Sequence, residues 1–72
     1  MTQTERVLQY IRDTGSITQA DACRDLGCYR LSARIYDLRR LGYPIQSVIA
    51  CAKNRYGETV TFKRYMLGPE TQ

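Results

Sequence analysis

With 72 residues, 43% hydrophobic and 25% charged, the chain has room for one lean domain and excludes a doubly wound sheet, a barrel enzyme or a second domain. Eleven Lys and Arg stand against seven Asp and Glu, a formal charge of +4 with no histidine, so the commonest general base is missing and no enzyme is expected. No run of about 18 apolar residues suggests a membrane span, and the charged start MTQTERVLQYIRDTG predicts no secretory leader and a cytoplasmic protein.

Thr2-Gln3-Thr4-Glu5 fits a capping box. Val7, Leu8 and Ile11 then form the apolar stripe of a first helix, ended by Gly15. Ser16-Ile17 reads as a short extended connector able to pair at a sheet edge. Thr18-Gln19-Ala20-Asp21 is a second capping signal, opening a helix of about two turns with Ala22, Cys23 and Leu26 on its inner face. Gly27 suits the left-handed residue that closes it. A third helix is predicted over residues 30–41, with Leu31, Ile35 and Leu38 as its core stripe, and Pro44 prevents its resumption.

After Pro44 the period changes to two. Residues 45–53 (IQSVIACAK) and 58–67 (ETVTFKRYML) read as two strands around an Asn54–Gly57 turn. Tyr43, Phe62, Tyr65 and Leu67 are expected in the core. Two helices joined by a short glycine-containing turn make a helix-turn-helix. The expected fold is therefore α+β: a winged helix-turn-helix of three helices and a C-terminal β-hairpin wing, spanning 1–67, with a flexible tail over 68–72.

Charge is concentrated in the second half. Residues 1–28 carry a net −1, residues 29–64 a net +6, and nine of the eleven cations are arginine, the side chain suited to bidentate phosphate and guanine contacts. In a helix-turn-helix the second helix enters the major groove with its N-terminal residues toward base edges. Tyr29, Arg30 and Arg34 are thus the expected base contacts, with Ser32, Ala33 and Tyr36 on or beside the outward face. Arg39 and Arg40, at the far end, are expected at phosphates. Asp37 is awkward near phosphates and is expected to orient Arg34 or Arg40, with acceptance of a bond from cytosine N4 as the lesser alternative. Lys53, Asn54 and Arg55, on the 53–57 hairpin tip, are expected on the backbone or in the minor groove. The partner so implied is double-stranded DNA; one small module makes a modest interface, so either modest affinity or a homodimer pairing two copies on repeated half-sites is expected.

The run Arg30-Leu31-Ser32-Ala33-Arg34-Ile35-Tyr36-Asp37-Leu38-Arg39-Arg40, then Gly42-Tyr43-Pro44-Ile45, resembles a family of small winged helix-turn-helix proteins of phage and prophage origin. Lys53-Asn54-Arg55-Tyr56-Gly57 and Arg64-Tyr65-Met66-Leu67 are similar too, so the resemblance covers about four-fifths of the chain. It implies a winged-helix fold and DNA binding in gene regulation.

Cys23, Cys28 and Cys51 are too few for a zinc site without histidine. They are expected to be small buried or semi-buried thiols, with no metal and no cofactor. The chief rival to DNA binding is a protein-docking module on the same fold, using Tyr10, Tyr29, Tyr36 and Tyr56 as an aromatic patch. RNA binding ranks below both, since no aromatic platform on a four-stranded sheet is indicated.

Overall fold

The computed structural model describes residues 2–68; Met1 and residues 69–72, which include most of the expected tail, lie outside the described residues. Helix α1 spans Gln3–Thr14. Its capping box forms as the sequence dictates: Glu5 N–H donates to Thr2 Oγ1 at 3.2 Å and Thr2 N–H to Glu5 Oε1 at 3.4 Å. Val7, Leu8 and Ile11 are buried on one face. The connector becomes β1, Ile17–Thr18, which pairs antiparallel with the last strand through Ile17–Tyr65 and Thr18–Arg64.

The second helix departs from its expected form. After the Thr18–Asp21 capping box, one α turn (α2, Gln19–Asp21) passes directly into a π turn, Ala22–Leu26. The Ala22 carbonyl accepts both the Gly27 N–H and, at 2.9 Å, the Cys28 N–H. Ala22 and Cys28 are both buried, and Gly27 between them has φ +64°. The wider turn keeps these two side chains in the core while the left-handed glycine reverses the chain.

Helix α3 covers Leu31–Arg40, one residue shorter at each end than expected, with Arg30 and Leu41 as the flanking caps. Leu31, Ile35 and Leu38 are buried as predicted. Strands β2 (Ile45–Lys53) and β3 (Thr59–Leu67) pair antiparallel in unbroken register from Ile45–Leu67 to Lys53–Thr59. The sheet order is β1-β3-β2. From Cys51 to Thr61 every residue is exposed, so the outer half of the hairpin stands clear of the core.

The core is built from Val7, Leu8, Ile11, Ile17, Ala22, Cys28, Leu31, Ile35, Leu38 and Ile45, with Tyr10, Leu26, Tyr43, Tyr65 and Leu67 packed against it. Two expectations are corrected here. Phe62 is not in the core: side chains alternate along β3, so it takes the side opposite Tyr65 and Leu67. Cys51 is neither buried nor half-buried but exposed, because its stretch of β2 lies beyond the helices; Cys28 is buried and Cys23 half-buried.

A polar clasp ties α1 to the π turn. Tyr10 Oη donates to Asp25 Oδ2 at 2.7 Å, and Arg24 Nε donates to Asp25 Oδ1 at 2.9 Å. The Arg24 bond, seconded by Tyr10, holds the Asp25 carboxyl down to about 2. A carboxyl with a lowered folded-state pKa stabilises the fold above its unfolded value and loses that contribution as pH falls through the folded one. The advantage of the wild type over Asp25→Asn in urea midpoint is therefore present at neutral pH and shrinks between about 4 and 2. An advantage that grew on acidification would contradict this role.

Candidate nucleic-acid interface

Helix α3 presents three different sides. The core stripe holds it down. On one flank Asp37 turns toward α1, accepting from Thr4 Oγ1 at 3.3 Å and pairing with an Arg34 terminal nitrogen at 3.3 Å. Arg34 is thus half-buried beside its own carboxylate, and its Nε is buried with no acceptor among the described residues. The expected Asp37–Arg34 pairing is present. On the other flank Arg39 Nε donates to the Ile45 carbonyl at 3.2 Å, tying the end of α3 to the start of β2.

Between these flanks lies the outward face. Tyr29 is 80% and Tyr36 61% exposed. Arg30, Ser32 and Arg40 are exposed beside them, and Ala33 is half-buried. Ser32 and Ala33 are the small side chains among them, so the helix backbone is less covered there. The Arg40 guanidinium lies over the Tyr36 ring, 5.8 Å from its centroid, a cation–π contact that stiffens an exposed charge. No ion pair or hydrogen bond engages the Arg30 side chain, at the N-terminal end of α3, among the described residues.

The start of α3 depends on a residue that local sequence patterns do not reveal. No Ser, Thr, Asp or Asn stands at its N-cap, and Arg30 makes no side-chain capping bond. Instead Gln19, at the start of α2, reaches across the turn. Its Oε1 accepts from the Leu31 N–H at 3.1 Å and its Nε2 donates to the Cys28 carbonyl at 2.9 Å. One amide thereby fixes both ends of the Cys28–Leu31 turn that carries Tyr29 and Arg30.

At the hairpin tip, Asn54 serves the loop itself. Its Oδ1 accepts the backbone N–H groups of Tyr56 at 2.9 Å and Glu58 at 3.0 Å, and its carbonyl accepts from Gly57, whose φ is +77°. That fold-back leaves Lys53, Arg55 and Tyr56 exposed around it. The expected tip residues are therefore divided: Lys53 and Arg55 project outward, whereas the Asn54 side chain holds the turn. Of the later cations, Lys63 is exposed, and Arg64 is half-buried and donates to Ser16 Oγ at 3.2 Å.

No helix among the described residues is long and apolar enough to cross a membrane. Neither the curated proteins nor the solved structures contain a match to the chain. A family model described as a winged helix-turn-helix domain matches residues 2–70. Together with the α1-β1-α2-α3-β2-β3 order and the exposed α3 face, that match over nearly the whole length means the chain belongs to the winged helix-turn-helix domain family, a membership that supports DNA binding.

Proposed function

We propose that this domain binds double-stranded DNA as a non-catalytic regulator, with α3 in the major groove and the 53–57 tip on the backbone or in the minor groove. The observation that carries the reading is the α3 face itself: Tyr29, Arg30, Ser32, Tyr36 and Arg40 stand exposed, while the acidic Asp37 is drawn aside by Thr4 and Arg34. Arg30 and Tyr29 are the base-contacting candidates, with Ser32 and Ala33 permitting close approach. Arg40 and Arg39 serve phosphates, Arg39 from a guanidinium already anchored at Ile45. Arg34 acts chiefly by neutralising Asp37. Lys53 and Arg55 follow the backbone, and Asn54 shapes the loop that presents them.

The setting we propose, phage or prophage gene regulation in the cytoplasm, rests on the resemblance carried by residues 30–40 and 42–45. One such module buries only about 600–1,000 Å² on DNA, so pairing of two copies on repeated half-sites supplies the remaining affinity.

Titration of a duplex at several salt concentrations tests the reading. About four to six phosphate contacts give a log–log slope of roughly −3.5 to −5.5. Affinity that stayed flat from low to high salt would reject it.

A further inference from the structure

We infer that the back of the β2–β3 hairpin is a dimer surface on which a second copy of this chain packs. Strand register sorts the side chains. Ile45, Tyr65 and Leu67 mark the side of the sheet that faces the core. Alternation then sends Val48, Ala50, Ala52, Val60, Phe62 and Met66 to the opposite side, with Gln46 and Arg64 the polar members of that side. Val48 and Val60 remain 43% and 41% exposed, and Phe62 borders an open cleft of about 320 Å³ against Thr18–Asp21. The hairpin is thus amphipathic: its apolar side is the one opposite the core, and α2 borders it only at Phe62 and Arg64.

Charge and shape favour a second copy as the occupant. Each molecule carries +4, so like copies repel unless they meet where cations are scarce. Among the strand residues of this side the single ionised group is Arg64, engaged with Ser16, and Asp21 borders it at the Phe62 cleft; register places Lys53 and Lys63 on the other side. The rungs are stepped: Ala50 lies opposite Phe62 and Ala52 opposite Val60, small β2 side chains against larger β3 ones. A two-fold axis along the hairpin sets β2 of one copy over β3 of the other, as in aligned sheet packing. Small then meets large at the Ala50–Phe62 and Ala52–Val60 levels, and Val48 of one copy lies over the Arg64 level of the other. The same axis keeps both tips at one end of the dimer, where one duplex can meet both. In that respect the inference rests on the DNA-binding reading and deepens it.

The surface is narrow. Two strands about 10 Å wide and 30 Å long cover roughly 300 Å² per copy, some 600 Å² in total against about 1,200–2,000 Å² for stable interfaces. The dimer is accordingly weak in free solution and strengthened when DNA holds two copies together.

Sedimentation equilibrium without DNA, from micromolar to hundreds of micromolar protein, tests this. The apparent mass of the wild type rises from monomer toward dimer; Val48→Glu and Val60→Glu stay monomeric; Ile49→Glu, on the other side of β2, behaves as wild type. Circular dichroism checks that each variant is folded. A wild type that stays monomeric throughout overturns the inference, as does loss of the dimer in Ile49→Glu with its retention in Val48→Glu. Binding of Val48→Glu to a duplex long enough for one copy is unchanged. If no variant binds that duplex, the DNA reading fails while the sedimentation result stands on its own.

Discussion

Arg30→Ala weakens duplex binding by about 1–3 kcal/mol and broadens the range of sequences accepted, whereas Arg55→Ala weakens all sequences alike and makes the salt slope shallower by about one. The difference follows from where the two groups stand. Arg30 flanks the N-terminal end of α3, exposed and without a protein acceptor among the described residues, the place from which a recognition helix reaches base edges. Arg55 is on a hairpin tip whose geometry is set by Asn54 and Gly57, and a backbone contact from there carries little direct sequence information. Selection of binding sites from a random duplex pool, followed by titration of selected and scrambled duplexes, separates the two roles. Sequence preference that changed in Arg55→Ala and not in Arg30→Ala would reverse the assignment.

Gln19→Ala is expected to cost about 1–3 kcal/mol of folding stability, the usual penalty for leaving a backbone donor at a half-buried position without its acceptor. The Leu31 N–H loses Oε1 and the Cys28 carbonyl loses Nε2. Because those bonds also hold the turn bearing Tyr29 and Arg30, DNA affinity falls further than the loss of folded protein accounts for. Urea unfolding and titration under conditions where the variant is fully folded check the two parts. An unchanged unfolding midpoint together with unchanged affinity would show that the turn holds without the amide.

These two residues mark what could be read from the sequence and what could not. The order of elements was legible because each boundary is encoded locally: two capping boxes, Gly27 and Pro44 as stops, and a switch from helical to alternating apolar spacing after Pro44. The outward set on α3 was legible for the same reason, since Leu31, Ile35 and Leu38 fix the helix phase. The role of Gln19 was not, because its partners lie nine and twelve residues ahead and are met only when α2 and α3 pack. Nor was the π turn, which depends on burying Ala22 and Cys28 together. Arg34 and Arg39 fell on the flanks as the helix phase requires, but whether a flanking arginine faces solvent, a carboxylate or a strand end is decided by neighbouring elements. Phe62 is a different case. Its place on the even-numbered side of β3, against odd-numbered Tyr65 and Leu67, was written in the alternation, and its aromatic character outweighed that signal.

The most direct test of a cationic α3 face that meets DNA is amide chemical-shift perturbation on adding a random-sequence duplex at low salt. The account predicts that the largest shifts fall on Tyr29–Tyr36, Arg40 and Lys53–Tyr56, with α1 little changed. Shifts confined to α1 and the back of the hairpin, or none at all, would contradict it.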